Sequence, residues 1–208
     1  MKNKKNLLIL MTIIFSYLNI SAQEENKSKF SIIGNGGIGY GIVENDSEPN
    51  YNLNSNSGEL LINYNFSQNF GIATGIGFNE LTGNGFNSVG EFYHERNFIK
   101  IPLLLTLNGE FTEKIEFFTN IGFYTQNIIT DNYRYLTSTA ENSFDGWNFG
   151  SQIGIGILFD FMDKMKFGFA FNSQSDFSKF KSSNSSGIVD KQKIKNLNTI
   201  GIILKFEL

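Results

Sequence analysis

The amino-acid sequence predicts an all-β fold, an eight-stranded antiparallel up-and-down transmembrane β-barrel, from three observations. The first is composition: the 208 residues include 22 phenylalanines and 21 glycines but only two prolines and one tryptophan, which favours short strands over helices. The second is a two-residue period, in which large apolar residues alternate with small or polar ones along eight segments. The third is a strict alternation of short and long links between those segments, which is typical of outer-membrane barrels.

The N-terminal 22 residues predict a signal peptide. Three of the first five residues are lysines, an almost unbroken apolar run extends from Leu7 to Leu18, and Ala22 is suited to cleavage before Gln23. The alternative is an uncleaved membrane anchor, but the apolar run is shorter than the roughly 20 residues that a spanning helix needs. We therefore predict a cleaved signal peptide, 1–22, and a barrel domain, 23–208, exported to the cell outer membrane.

Charge and reactive residues exclude several classes of protein. Removal of the three lysines of the signal peptide leaves 14 basic against 20 acidic residues, a formal charge of −6, with no basic arm for nucleic acid. The absence of cysteine excludes a disulfide scaffold, a cysteine nucleophile and a thiolate metal site. The single histidine, His94, excludes a multi-histidine metal centre.

Eight strands follow from the two-residue period, at about 29 to 43, 58 to 66, 70 to 80, 95 to 108, 114 to 126, 147 to 160, 165 to 174 and 196 to 208. Each strand has one face of large apolar residues and one face that is mostly Gly, Ala, Asn, Gln or Ser. The links around 67 to 69, 109 to 113 and 161 to 164 are short. Those around 44 to 57, 81 to 94, 127 to 146 and 175 to 195 are long and polar.

The third strand shows why the large residues are predicted to face lipid. In "NFGIATGIGF" the positions between Phe70, Ile72, Ile76 and Phe78 are Gly71, Ala73, Gly75 and Gly77. An eight-stranded barrel has an interior only just wide enough for side chains, so small residues are expected inside it. The alternative is a soluble sandwich or lipocalin-like barrel with the large residues inside, which would expose rows of Gly and Ala to water on several strands.

Aromatic and charged residues agree with a membrane barrel. Two aromatic girdles are predicted, a periplasmic one of Phe30, Phe66, Phe70, Phe117, Phe159, Phe167 and Phe206 and an outer one of Tyr40, Phe78, Phe123, Trp147 and Phe171. Inward charges cluster near the periplasmic mouth, at Lys29, Glu116, Asp160, Lys166 and Lys205, with Glu59 and Lys100 higher in the lumen. We expect these charges to pair, although Lys29 and Lys205 fit a solvated rim equally well. Gln152 also faces inward, and a lysine there is expected to be milder than an arginine at the lipid-facing Ile155 if the lumen retains some water or a partner such as Glu59. Pro102 deletes a ladder hydrogen bond, which predicts a bulge nearby.

A resemblance to a known family rests on three stretches. The "SAQ" that ends the signal peptide, the strand "NFIKIPLLLTLN" and the final strand "NTIGIILKFEL" resemble the PorT-like outer-membrane β-barrel family of Gram-negative bacteria. The resemblance implies the fold and the location, and some relatives are accessory proteins of a secretion system. Phe206 resembles the terminal aromatic residue that the barrel-assembly machinery recognises, although Glu207 and Leu208 follow it here.

Catalytic, cofactor and metal residues are predicted to be absent. The best candidate cluster is "EFYHERN", which holds Glu91, His94, Glu95 and Arg96, with Ser88 six residues before the histidine. A Ser-His-acid triad is defined by geometry, so the spacing leaves this option open beside a solvated loop, which we favour. Asp131, Glu141 and Asp145 lack the spacing of a calcium loop and are interpreted as surface charge. The "GNGGIG" at 34 to 39 lacks the order and the lysine of phosphate-binding loops and is interpreted as strand glycines.

The predicted function is a non-enzymatic structural or interaction role in the outer membrane, with a secretion-accessory barrel as one form of it. The alternatives are a small lipid-modifying hydrolase built on His94 and a narrow pore, which side chains in an eight-stranded lumen disfavour. The expected partners are outer-membrane lipid, the barrel-assembly machinery during biogenesis, and a protein that contacts the long extracellular loops or the periplasmic turns.

Overall fold

Eight long strands form a closed antiparallel ring, as predicted. The computed structural model describes residues 28–182 and 190–208, and the predicted signal peptide lies outside them. The strands are β1 (Phe30–Asn45), β2 (Tyr51–Asn65), β3 (Phe70–Asn87), β4 (Gly90–Thr112), β5 (Ile115–Tyr135), β6 (Thr139–Glu141), β7 (Phe144–Asp145), β8 (Trp147–Met162), β9 (Met165–Asp176), β10 (Phe180–Ser182) and β11 (Lys191–Glu207). The ring runs β1-β2-β3-β4-β5-β8-β9-β11 and closes through β11 and β1. The short strands β6, β7 and β10 pair at one end. In the described ranges no helix is long and apolar enough to cross a bilayer.

The register makes the strands tilt around the barrel axis. A walk around the ring through paired residues leads from Tyr40 through Asn198, Ser173, Ile153, Ile121, Leu105, Ile72 and Tyr64 to Phe30. The walk therefore returns to β1 ten residues from its start. A stagger of this kind requires the strand tilt of roughly 35 to 45° that closed barrels adopt.

The faces of the strands are oriented as predicted. Phe70, Ile72, Ile76 and Phe78 are exposed on the outside of the ring, while Ala73 is buried in the lumen. A Cβ atom on Gly71 would lie 2.7 Å from Thr106 Oγ1, and one on Gly75 would collide with the backbone carbonyl oxygen of Leu60. The glycine face is therefore cramped because it faces the packed interior and a neighbouring strand.

The long-link end of the barrel differs from the prediction. The predicted link 81 to 94 is almost wholly strand, since β3 and β4 are joined by a two-residue turn, and residues 127 to 135 of the predicted link 127 to 146 belong to β5. Here the outward residues change from mostly apolar to mostly polar: on β3, Phe78 is followed by Glu80, Thr82 and Asn84, with Phe86 exposed next to the turn. The band of outward-facing apolar residues around the barrel is here called the apolar belt. At the long-link end the strands continue farther beyond this belt than at the short-turn end. On β3 the continuation is about nine residues, or roughly 20 Å along the axis.

Side chains fill the lumen in layers. An apolar layer near the short-turn end consists of Ile33, Leu61, Ala73, Leu104, Phe118, Leu158, Ala170 and Ile203. A larger layer near the other end consists of Val43, Leu53, Leu81, Phe92, Phe98, Ile128, Tyr133, Phe144, Phe180, Ile194 and Leu197. Polar side chains lie between the two layers and at the short-turn mouth.

The predicted pairing of inward charges is confirmed. Lys205 Nζ lies 2.6 Å from Glu116 Oε1, Lys166 Nζ lies 2.6 Å from Glu116 Oε2, and Lys100 Nζ lies 2.5 Å from Glu59 Oε1. Lys205 is buried and paired, whereas Lys29 is exposed to solvent. Of the two interpretations of the periplasmic mouth, ion pairing therefore applies to Lys205 and a solvated rim applies to Lys29.

The predicted bulge does not occur at Pro102 itself, and the nearest register shift on β4 is between Asn97 and Phe98 in its pairing with β5. The β3 to β4 register is the same on both sides of Pro102, with Thr74 opposite Leu103 and Gly77 opposite Lys100, and only the pairing between these positions is interrupted. Thr74 Oγ1 donates a hydrogen bond of 2.8 Å to the carbonyl oxygen of Pro102. A side-chain hydroxyl thus bridges the two strands beside the missing amide donor, so the chain needs no extra residue.

Candidate functional site

The part of the barrel above the apolar belt is a folded unit, which we call the extension and which comprises residues 44–56, 79–98, 127–146, 176–182 and 190–195. Its interior is packed with aromatic and aliphatic side chains from the larger apolar layer. Phe98 and Phe180 lie 5.7 Å apart between ring centroids, and Phe92 and Tyr133 lie 5.0 Å apart. Strand pairing and a dry core therefore hold the extension, where the sequence predicted long loops.

A buried polar network is embedded in this core. His94, Arg96 and Asp131 each have no solvent exposure. His94 Nε2 lies 2.7 Å from Asp131 Oδ1, and Arg96 Nε donates to the same oxygen. Asp131 Oδ2 accepts the backbone N–H of Phe144 at 2.9 Å. The carboxylate thus links β4, β5 and the short strand β7.

The network continues through hydroxyl and amide groups. Tyr51 OH lies 2.9 Å from His94 Nδ1 and 3.0 Å from Tyr133 OH. Arg96 Nη2 and Tyr133 OH both donate to Gln192 Oε1, at 2.6 and 3.1 Å. The rings of His94 and Tyr133 stack with centroids 4.1 Å apart. The network therefore connects β2, β4, β5 and β11 across the interior.

Electrostatics keep the histidine neutral. Burial, together with the positive charge of Arg96, lowers the pKa of His94 to about 4, although Asp131 acts in the opposite direction. Burial by itself raises the pKa of Asp131, but Arg96 and the hydrogen bond from His94 lower it below its usual value. The ionised pair is Arg96 with Asp131, and a protonated His94 would add an uncompensated charge to a dry interior.

The geometry does not assemble the Ser-His-acid triad that the sequence left open. Ser88 Oγ donates to Glu48 on the exposed surface, while both ring nitrogens of His94 are engaged by Tyr51 and Asp131. A general base needs a free nitrogen within reach of the nucleophile.

Two sequence interpretations in this region are wrong. His94 is not in a solvated loop, and Asp131 is not surface charge, because both are fully buried. Glu141 and Asp145 are exposed as predicted. His94 and Arg96 are two residues apart, which places them on one face of a strand, and that spacing is the signal that could have located the network. Asp131 and Tyr133 carry the same spacing on β5.

The outer surface of the extension on β2 to β6 carries a net negative charge, beside the exposed apolar side chains of Phe86, Tyr93 and Ile129. We call it the acidic face, and its charged residues are Glu80, Glu91, Glu95, Arg134 and Glu141. Arg134 Nη2 donates to Glu95 Oε2 at 2.7 Å and its guanidinium lies over the ring of Tyr93 at 5.8 Å. Asn56 Nδ2 donates to Glu80 Oε2 at 2.9 Å. Contacts between neighbouring strands thus order several side chains of this surface.

The lumen below the extension is closed. Lys100 Nζ donates to Gln152 Oε1 at 3.0 Å and to Gln174 Oε1 at 2.7 Å, in addition to its pair with Glu59. A cavity of about 20 Å³ beside these groups has room for a water molecule. Within residues 28–182 and 190–208, no group of three or more His, Cys, Asp or Glu side chains could hold a metal ion.

The luminal contacts remove Glu59 as the expected partner of a lysine at position 152. Because Glu59 is already paired with Lys100, Gln152→Lys would place a second ammonium group beside the first. We predict a loss of about 2 kcal/mol in the free energy of unfolding, because two buried ammonium groups would then share one carboxylate. Urea unfolding in lipid vesicles, followed by the fluorescence of Trp147, measures this loss. The matched control Gln152→Glu should lose less because its carboxylate faces Lys100, and equal losses would contradict the assignment.

Comparison with known proteins gives a family and a fold. Residues 21–182 match the model of a family described as outer membrane protein beta-barrel domain. Neisserial surface protein A (NspA) is similar in structure, with a TM-score of 0.55 and 6% sequence identity over 88% of this chain and 100% of that chain. OprG from Pseudomonas aeruginosa has a TM-score of 0.46 and 13% identity over 88% of this chain and 98% of its own. Ail, the attachment invasion locus protein of Yersinia pestis, has a TM-score of 0.43 and 13% identity over 86% and 99%. No curated protein matches the sequence significantly.

Proposed function

Because the chain belongs to the outer membrane protein beta-barrel domain family, we propose that it is a non-enzymatic outer-membrane barrel whose extension presents the acidic face to a protein partner. The observation that carries this proposal is the internal order of the extension, which has its own core and a buried ion pair. A surface held in one conformation loses little entropy on binding, so it suits recognition. In outer-membrane barrels the longer connections lie outside the cell, which makes the acidic face an extracellular surface.

The PorT-like resemblance supports a secretion-accessory role as the specific form of this interaction. A barrel of this kind acts through the surfaces that it offers to other components of the machinery. The lumen offers no binding surface of this kind, since two apolar layers and the pair of Lys100 with Glu59 fill it. The same filling argues against a pore, and the engagement of both His94 nitrogens argues against a lipid hydrolase.

A capture experiment with matched variants tests the proposal. We predict that tagged wild-type protein from detergent-solubilised outer membranes retains a protein partner that Glu80→Lys/Glu91→Lys loses. The control Glu113→Lys/Asp163→Lys changes two carboxylates in the short turns at the opposite end of the barrel and should retain the partner. Retention by the acidic-face variant, or loss by the turn variant alone, would contradict a partner on the acidic face.

A further inference from the structure

Lysines are concentrated on the side of the extension away from the acidic face. The lysine cluster comprises Lys179, Lys181, Lys191, Lys193 and Lys195, which lie on β10, on β11 and just before β10. The carboxylates next to it are Glu44, Asp46, Asp145 and Asp190, so five lysines against four carboxylates leave a net charge of about +1 by residue count. The oxygens of Asp190 accept backbone N–H groups of residues 46 to 48 and 191. The extension is thus electrically polarised, although the chain as a whole is acidic.

The cluster begins where the apolar belt ends. On β11, Ile200 faces outward with 65% exposure, and Lys195 lies directly opposite Ile42 on β1, just above the girdle residue Tyr40. From Lys195, β11 continues four residues to Lys191, or about 10 Å along the barrel axis. This interval is the height at which lipid headgroups surround a spanning barrel.

The geometry of two lysines is suited to an oxyanion. Lys193 Nζ lies 3.0 Å from Glu44 Oε1, and Lys195 Nζ lies 3.1 Å from Glu44 Oε2. The two ammonium groups therefore converge on one carboxylate, and they remain partly exposed. A phosphate group presents several oxygens at similar spacing and a larger charge, so it can share these donors.

Two other lysines are in an arrangement that an anion would stabilise. Lys181 and Lys191 are direct cross-strand partners, and both side chains are exposed. Like charges directly opposite each other destabilise a sheet. Asp145 is opposite Lys181 on its other side, yet neither lysine has a carboxylate within ion-pair distance among the described residues. An anion between Lys181 and Lys191 would remove the repulsion.

From these observations we propose that the lysine cluster binds the phosphate groups of a lipid in the outer leaflet. The acyl chains of this lipid would lie along the outward apolar residues of β1, β9 and β11, and its headgroup would extend upward along the cluster. Continuity with the lipid-facing belt favours a lipid over a soluble polyanion. This inference is independent of the protein partner proposed above, which uses the opposite side of the extension.

Lipid retention by purified protein tests the proposal. The full mature chain is refolded into phosphatidylcholine vesicles that contain a small fraction of bisphosphorylated lipid A. It is then transferred to mild detergent, and native mass spectrometry measures the mass of the protein together with its bound lipid. We expect wild type to retain lipid A in preference to phosphatidylcholine. Since a lysine near an anionic lipid surface contributes about fivefold in affinity, Lys181→Gln/Lys191→Gln should retain roughly twentyfold less.

Matched variants and competitors identify the source of the phosphate. Lys181→Arg/Lys191→Arg keeps both charges and should retain the lipid, and Lys114→Gln/Lys164→Gln, at the short turns, should behave as wild type. Lys181 and Lys191 form no ion pair among the described residues, so the barrel should fold in every one of these variants. Heat-modifiable mobility on gels checks that each variant is folded. Unchanged retention by the Gln variant would overturn the proposal. Displacement of the lipid by millimolar inorganic phosphate, or by a soluble sulfated polysaccharide, would also overturn it in favour of a soluble anion.

Discussion

Replacement of Asp131 by alanine is expected to lower the free energy of unfolding by roughly 3 to 5 kcal/mol, because it leaves a buried guanidinium without its counter-charge. Arg96 has no solvent exposure and donates to Asp131. The substitution also removes the acceptor for His94 Nε2 and for the N–H of Phe144. Urea unfolding in lipid vesicles, followed through Trp147, and trypsin resistance of the extension measure the loss.

An exposed ion pair in the same strands provides the control. Glu95 pairs with Arg134 at 2.7 Å, but the arginine side chain is 57% exposed, so Glu95→Gln should cost less than about 1 kcal/mol. The double variant Arg96→Met/Asp131→Leu removes both buried charges and should recover at least half of the loss, because apolar side chains can replace a buried pair at little cost. Equal losses of unfolding free energy in Asp131→Ala and Glu95→Gln would contradict the burial of the Arg96–Asp131 pair.

The membrane-spanning half of the barrel could be predicted from the sequence because its outer face contacts lipid and its inner face lines a narrow lumen. Lipid selects large apolar residues such as Ile155 and Phe171, and the narrow lumen selects Gly, Ala and small polar residues such as Gly154. The contrast between the faces makes the two-residue period visible in the sequence. Strand boundaries at the short-turn end were accordingly close to those of the structure.

The extension could not be predicted in the same way, because its outer face is in water. On β2 five of the six residues from Asn52 to Ser57 are Asn or Ser, on both faces, and Leu53 is the single apolar one, so the alternation is too weak to indicate a strand. Pairing with neighbouring strands forms this part of β2, and such pairing is not encoded locally. The partners of the network were missed for the same reason: Tyr51 is 43 residues from His94 and Gln192 is 96 residues from Arg96, and only the fold of the barrel brings them together.

The largest effect in the apolar belt is expected at Ile155, near the middle of β8. Its side chain points outward with 47% exposure, between Thr119 and Phe171 on the neighbouring strands. Because the structure places Ile155 on the outside, an arginine there is costly only if lipid covers this face. We expect Ile155→Arg to lose roughly 2 to 4 kcal/mol in vesicles, the range for a cation at the midplane of an outer-membrane barrel. Asn54→Arg, outward but above the belt, is the matched control and should lose less than about 0.5 kcal/mol.

Labels at single cysteines give a direct measurement of the same orientation. The chain has no cysteine, so Ile155→Cys and Gln152→Cys each create one attachment point for an environment-sensitive dye. A dye at position 155 should be quenched by lipid-borne quenchers, and one at the luminal position 152 should be protected from them. The two positions are three residues apart on one strand, so they differ in depth by about 8 Å within an apolar band about 25 Å tall, and they lie on opposite faces of the strand. Quenching at position 152 with protection at 155 would contradict both the inward orientation of the glycine face and the lipid contact of the apolar belt.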